Sequence, residues 1–488
     1  MTEFHQKKSF CRRSWISDLP VPKLYARLPA RTPCSKSVST WAVAALFLPL
    51  VLGHICFAQT VAEVYSFNEQ GGPEFVTPAQ GRDGRLYGTD GCGGIMSGFI
   101  FATTTAGSLI DLHDFNPAGG FCPNAGLTLA TDGSFYGTTL GGGNNQNGVL
   151  FKITPKGTYT VLHFFAGGAD GSGPSAAPIE APNGALYGTT EGDSSGSTIY
   201  KYTAAGGFST LFQFNGTHGQ GVIAPLIQGT DGRLYGTASS GGANGCGTVF
   251  QMSTAGKLLK SYSFLCGVSG AQPVGPLVQA ADGNFYGTTQ AGGGGHGTVF
   301  KMGLDVRPSV LYSFGAAGPD DGREPLAGLT QATDGNLYGT TLQGGSAGFG
   351  TLFQISPAGA YQLLFSFTAP IGESPFAGLL QHTDGLLYGT TTTSGANGFG
   401  ALYSLDMGLG SFITFVQSTG KVGRVAQILG QGLTGTTSVS FNSTPATTFN
   451  VVSDTYIVAV VPSGATTGPV VVTTPGGTLT SNKNFVVK

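Results

Sequence analysis

From Val61 to Leu405 the apolar and aromatic positions fall in short runs rich in β-branched and aromatic residues, parted by Gly, Asp, Asn and Pro. Runs of that length and composition between turn-forming residues predict strands joined by tight turns. Four kinds of run follow one another in a fixed order. The first is an apolar approach, as in Leu326 to Ala332. The second is Leu/Phe-Tyr-Gly-Thr, and the third is Gly-Thr-Val-Phe-Lys-like, as in Thr298–Met302. The fourth ends on an aromatic residue, as in Leu311–Phe314. Asp-Gly separates the first from the second at Asp83-Gly84, Asp282-Gly283 and their equivalents, with Asn183-Gly184 in the third repeat. These are hairpin turns, because Gly accepts a positive φ without a Cβ clash.

The second run sets the period. Its tyrosines are Tyr87, Tyr136, Tyr187, Tyr235, Tyr286, Tyr338 and Tyr388, at intervals of 49, 51, 48, 51, 52 and 50 residues. Repetition every ~50 residues in an all-β pattern predicts a propeller-type array. The fourth run is missing after the last repeat and is supplied by Val61 to Phe67 at the front. Complementary ends predict a ring closed by pairing the first strand with the last three, which hides open sheet edges. An open solenoid gives no reason for complementary ends. The expectation is therefore an all-β, seven-bladed β-propeller over residues 59–408. Its Tyr-Gly-Thr stretches are inner strands whose tyrosines form blade-to-blade core rather than a sugar-stacking surface.

After residue 408 the repeat stops. Residues 409–488 show shorter alternating runs (Ala426–Leu429, Ser438–Phe441, Tyr456–Val461, Val470–Thr473 and Asn484–Val487), which predict a small β-sandwich. At the other end, residues 1–58 carry eight Lys/Arg and then an apolar run from Trp41 to Ala58. Basic, apolar, small is the order of a secretory leader, with cleavage near Ala58. An uncleaved membrane anchor is the competing reading, and any membrane contact is expected only through this segment.

Composition narrows the picture. Gly is 82 of 488 residues without a three-residue period, hydrophobic content is 40% and charged residues are 10%. This excludes collagen and disfavours disorder. Without the leader, 15 basic and 23 acidic residues remain, a net charge of −8. A mildly acidic chain with no basic run is a poor nucleic-acid binder.

Two resemblances rest on quoted residues. Asp-Gly-x-Leu-Tyr-Gly-Thr-Thr, a Gly pair, Gly-Thr-Val-Phe-Lys and Leu-Tyr-Ser-Phe in tandem resemble the GloVer repeat of exported bacterial proteins, from about Val61 to Leu405. That resemblance implies export and life at the surface, and no reaction. The tail resembles an IPT/TIG domain, an immunoglobulin-like fold, on Gly420-Lys421-Val422-Gly423, Gly430 to Gly432, Ser440-Phe441-Asn442, Val461-Pro462 and Thr474-Pro475-Gly476-Gly477. Kelch propellers share the period and the Gly pair, but no tryptophan follows the leader.

Four cysteines lie outside the leader: Cys92, Cys122, Cys246 and Cys266. In a four-stranded meander the second-to-third and fourth-to-first connections emerge at one end. Each pair has one member in each kind of connection, so Cys92–Cys122 and Cys246–Cys266 are the expected bridges, free thiols being the alternative. Other chemistry is sparse. Gly192-Asp193-Ser194-Ser195-Gly196 fits G-x-S-x-G but lacks the strand-turn-helix setting of a nucleophile elbow. His113 and His163 are expected as strand residues. Asp320, Asp321 and Glu324 share one loop, expected to be solvated rather than a calcium site. The Gly-rich loops are expected to be turns rather than anion nests. No catalytic, metal or cofactor residue is assigned.

The expected function is an exported, monomeric, non-enzymatic recognition or adhesion protein. A glycan or surface protein would bind on the second-to-third and fourth-to-first connections. The alternatives are an extracytoplasmic carbohydrate-active lyase or hydrolase, which needs convergent acids or histidines, and a spacer with no ligand.

Overall fold

The computed structural model describes residues 59–68, 76–91 and 97–488. The leader expected over 1–58 and Cys92 lie outside the described residues. The described part is all-β, with helix confined to a 3-10 turn at Gly168–Asp170 and one α-turn at Cys266–Ser269.

Each repeat folds as one antiparallel four-stranded sheet, its strands paired in sequence order. In the fifth repeat these strands are Val278–Gln279, Phe285–Thr289, Thr298–Met302 and Ser309–Ser313. The seventh sheet takes three strands from its own repeat (Leu380–Gln381, Leu387–Thr391, Ala401–Asp406) and its fourth from Thr60–Ser66. Ala62 lies opposite Ser404 and Ser66 opposite Ala401.

The first strands are shorter than the sequence pattern predicts. Of Leu326 to Ala332, only Thr330–Gln331 pairs in a ladder. The preceding small residues instead run along a cavity described below.

The glycine of the signature has a steric cause. Gly287 lies opposite Phe300 in the ladder, and a Cβ on it would come within 2.6 Å of the ring. Gly88 and Phe101, Gly137 and Phe151, Gly236 and Phe250, and Gly339 and Phe353 repeat the arrangement. Tyr200 and Tyr403 replace the Phe over Gly188 and Gly389. The ring fills the space that a side chain would need.

Contacts between sheets also repeat. The signature tyrosine packs into the core of the following sheet: Tyr235 with Phe285 and Phe300, Tyr286 with Leu337 and Phe353, Tyr338 with Leu387 and Tyr403. Tyr388 of the last repeat packs with Leu86 and Phe101 of the first. The buried threonine after the glycine follows the same course. Thr288 donates to the Ala327 carbonyl at 2.7 Å and Thr340 to Ala377 at 3.1 Å. Thr390 reaches back to Val76 at 3.0 Å. A hydroxyl buried among apolar groups keeps its place only if bonded, so each threonine ties one sheet to the next.

The turn aspartates do two things. Asp282 Oδ1 accepts from the Asn284 N–H, and its Oδ2 accepts from the Tyr286 hydroxyl at 2.7 Å. The same pair forms at Asp83–Tyr87, Asp132–Tyr136, Asp231–Tyr235, Asp334–Tyr338 and Asp384–Tyr388. Where Asn183 stands for Asp, Tyr187 turns to the Thr254 carbonyl instead.

Burial works against the Asp282 charge, but hydrogen bonds from Asn284, Tyr286 and Lys301 outweigh it and hold the carboxyl at about 2, below its ordinary 3.8. A lowered folded value stabilises the fold above the unfolded value and is lost as pH falls through the folded one. Asp282→Asn is therefore expected to flatten the fall in urea midpoint between about pH 4 and about pH 2. An unchanged slope would show that this carboxylate is not held as described.

Residues after 408 form two further four-stranded sheets. One is built on Val425–Leu429 and Tyr456–Val460, the other on Ser438–Phe441 and Val470–Thr474. Ile428 and Ile457 from the first, and Val439, Phe441 and Val472 from the second, share one core closed by Phe485. This unit sits on turns between first and second strands. Arg82 donates to the Thr131 carbonyl at 2.7 Å and to Gln427 at 2.6 Å, and lies over the Tyr456 ring. Gln431 donates to Thr383, and Thr455 donates to the Arg82 carbonyl at 2.7 Å.

Candidate functional site

The docked tail occupies turns at one end of the sheets; a cavity reaches the other. Its volume is about 580 Å³, within the ~300–1,000 Å³ range of ligand pockets. All seven repeats line it, chiefly with the small residues that lead into the first strands: Thr77, Ala125, Ala176, Ala224, Pro276, Ala327 and Ala377. Leu140 and Gln290, each just after a second strand, and Glu191, near the end of one, complete the wall. Small side chains are required because seven backbones converge there. Gly328, for instance, leaves no room for a Cβ beside Pro276, 2.5 Å away.

The lining is apolar apart from a few hydroxyls and amides, and Glu191 is its single titratable side chain. The carboxylate of Glu191 has no hydrogen-bond or ion-pair partner among the described residues, and the side chain is exposed.

The two ends of the sheets differ in charge. Arg82, Arg85 and Arg233 sit in turns between first and second strands. Lys152, Lys156, Lys201, Lys257, Lys301 and Arg307 lie in third strands or the turns after them, and Lys260 follows in its fourth strand. Several are matched locally: Lys152 with Asp132 at 2.7 Å and Lys301 with Asp282 at 3.0 Å. At the cavity end Arg323 is the one Lys or Arg among the described residues of the repeats. Glu191, Asp193, Asp320, Glu324 and Glu373 are all there.

Asp321 departs from the sequence expectation of a solvated loop. It is 2% exposed. Its Oδ2 accepts from the Tyr312 hydroxyl at 2.6 Å and the Gly315 amide at 2.7 Å, and its Oδ1 from the Tyr361 hydroxyl at 2.7 Å and its neighbour Gly322. Tyr312 and Tyr361 come from adjacent repeats and stack with centroids 4.0 Å apart. The carboxylate is a clamp between two sheets. Asp170 does similar work, accepting from Ala166 and bonding His163, whose ring stacks on Phe208. His163 and His113 both lie in fourth strands, and burial pulls His113 down.

The remaining sequence candidates fall apart from one another. The signature tyrosines Tyr87, Tyr187, Tyr235, Tyr286, Tyr338 and Tyr388 are buried, and Tyr136 is half-buried. Gly192 to Gly196 is the hairpin between Leu186–Asp193 and Gly196–Thr203, with no helix after it. No group of His, Cys, Asp and Glu among the described residues has the arrangement of a metal site.

Cys246 and Cys266 are joined by a disulfide, Cα atoms 5.3 Å apart and 20 residues apart in sequence. Cys122 is disulfide-bonded too. A stable disulfide belongs to an oxidising compartment. Cys246→Ser with Cys266→Ser is expected to cost about 3 kcal/mol by chain entropy, read from denaturant midpoints. A cost below about 0.5 kcal/mol would show the loop already ordered without the bridge. No helix among the described residues is long and apolar enough to cross a membrane.

Comparison with curated proteins finds no match. Among solved structures, similarity is found to PorZ, an essential surface component of the type-IX secretion system of Porphyromonas gingivalis, at 14% identity and TM-score 0.46. The match covers 87% of this chain, and the chain spans 60% of the length of PorZ. A putative 6-phosphogluconolactonase from Bacteroides fragilis matches at 15% identity and TM-score 0.44, over 72% of this chain and 92% of its own. The periplasmic gluconolactonase PpgL of Pseudomonas aeruginosa matches at 16% identity and TM-score 0.43, over 67% and 96%. The Gloeobacter/Verrucomicrobia repeat matches three times, over residues 56–197, 157–319 and 294–450, and together these span most of the sequence. With its seven signature stretches, the chain belongs to the Gloeobacter/Verrucomicrobia repeat family.

Proposed function

We propose that the seven sheets of residues 59–408 close as a seven-bladed β-propeller, followed over 409–488 by an immunoglobulin-like sandwich of the IPT/TIG kind. Support comes from the circuit of contacts, in which Thr390, Tyr388 and the Thr60–Ser66 strand join the last repeat to the first. The two-sheet core of the tail supports the second part.

The protein is exported, with cleavage near Ala58, and acts outside the cytoplasm as a non-enzymatic recognition or adhesion module. Its ligand, a glycan or a surface protein, binds at the cavity end. One observation carries this reading: all seven repeats build a single apolar cavity whose lining holds one titratable group. Glycoside hydrolysis of the acid–base kind uses two carboxyl groups flanking the scissile bond, and this lining offers one, whereas an apolar pocket with a few polar groups suits binding.

The test uses the form beginning at Gln59, probed on a glycan array and on extracts of surface proteins, with turnover assays on the same sugars. Saturable binding that Ala224→Trp abolishes by filling the cavity, without turnover, is the expected result. Turnover of a sugar, or binding that the filled cavity leaves unchanged, contradicts it.

A further inference from the structure

We propose that the occupant of the cavity end is a cationic polypeptide segment of a surface protein. Its apolar side chains enter the cavity and its Lys and Arg residues lie against the free carboxylates of the surrounding connections. This rests on reading that end as a recognition surface and names the chemistry of its partner.

Three observations converge. The cavity wall is apolar and carries one unpaired carboxylate, Glu191. Further carboxylates without a hydrogen-bond or ion-pair partner among the described residues lie in the connections that supply the wall. Glu324 is two residues before Leu326, Glu373 three before Phe376, and Asp320 is exposed in the same connection as Glu324. They come from different repeats, so the negative field is spread around the cavity rather than gathered at one point. Against them stands Arg323 alone.

The third observation is apolar. Phe349 and Phe399 are 39% and 37% exposed, at equivalent places in the second-to-third connections of the last two repeats. Their backbones are fixed: Phe349 bridges Gly344 and its carbonyl accepts from Ser374, while Phe399 bridges Ser394. Exposed aromatic rings on a rigid backbone lose little entropy on binding, and their faces attract cations.

A neutral sugar can donate hydroxyls to a carboxylate but carries no charge to set against acids spread over several connections. A small cation meets Glu191 but does not reach acids on several connections. A basic segment with apolar residues satisfies both, and charge complementarity would steer its approach.

The experiment uses the form beginning at Gln59 and labelled synthetic peptides of about 12 residues, read by fluorescence anisotropy at about 50 and about 300 mM salt. One peptide combines Lys/Arg with Leu/Phe, a second Asp/Glu with Leu/Phe, and a third Lys/Arg with Ser. The first is expected to bind best and to weaken at least about tenfold between the two salts. Glu191→Gln with Glu324→Gln and Glu373→Gln is expected to weaken it about tenfold at the lower salt, while Asp305→Asn at the opposite end leaves it unchanged. Equal or better binding of the acidic peptide, or binding insensitive to salt, overturns the proposal. If no peptide binds but a glycan does, the cationic partner is refuted and the recognition surface stands. If nothing binds, both fall.

Discussion

Phe300→Ala is expected to destabilise the protein by about 3–5 kcal/mol, the range for removing a fully buried Phe. The ring is 0% exposed and fills two gaps at once. It covers Gly287 within its own sheet and packs against Tyr235 of the preceding one. Gly287→Ala should cost about 1–3 kcal/mol in the parent, since the new methyl meets Phe300 and Leu277 in a packed core. In the Phe300→Ala background the same methyl enters the vacated space, and its cost should fall well below that in the parent, with the Leu277 contact remaining. Urea unfolding followed by circular dichroism measures all four corners, both tryptophans lying before residue 59. Additive costs would mean that the glycine does not answer to the ring.

The second large effect is at Asp321. Its replacement by Ala leaves two tyrosine hydroxyls and several amides without their acceptor, at about 1–3 kcal/mol for each group left unsatisfied. A total of about 3 kcal/mol or more is expected, against less than about 0.5 kcal/mol for exposed Asp320→Ala. Similar small costs at both positions would contradict the clamp between the fifth and sixth repeats.

The comparison of these two aspartates shows where the sequence stops speaking. Adjacent acids in a Gly-rich loop look alike in one dimension. Their difference depends on Tyr312 and Tyr361, which are far apart in sequence and meet only when two sheets stack. Asp170 and His163 give the shorter-range version of the same device, seven residues apart. A hint lay in the aromatic residues opening and closing the fourth runs. The Asp–Tyr pair of six of the seven turns rests on a local, recurring four-residue spacing, which the expectations from sequence did not draw on.

Strand order and the supply of the seventh sheet's last strand from the front of the chain could be read from the repeat, since alternation and turn residues act locally. The first strands could not be delimited. Their apolar lead-ins resemble strand from sequence alone, yet they line a cavity, because small residues were selected by crowding rather than by ladder pairing. Counting the Tyr-Gly-Thr stretch as an inner strand holds for the sheet, where it is second of four; the cavity wall belongs to the lead-ins. In the tail, Phe449–Ser453 and Gly477–Thr480 escaped the pattern. Both are edge strands, whose exposed faces weaken the apolar alternation.

The site was legible only in outline. Connections at one end were the expected ligand surface, and the cavity reaches that end. The separation of charge between the two ends appears only once every Lys and Arg has been placed on a turn or strand.

Ring closure is the claim on which the cavity, and therefore the function, depends. Its most direct measurement is a cross-link between Ala62→Cys and Ser404→Cys, which the register places opposite each other. In the form beginning at Gln59, mild oxidation should join these two positions within one chain, as shown by peptide mapping under non-reducing conditions. If both cysteines stay free, or pair only between separate chains, the first strand does not complete the last sheet and the closed ring is wrong.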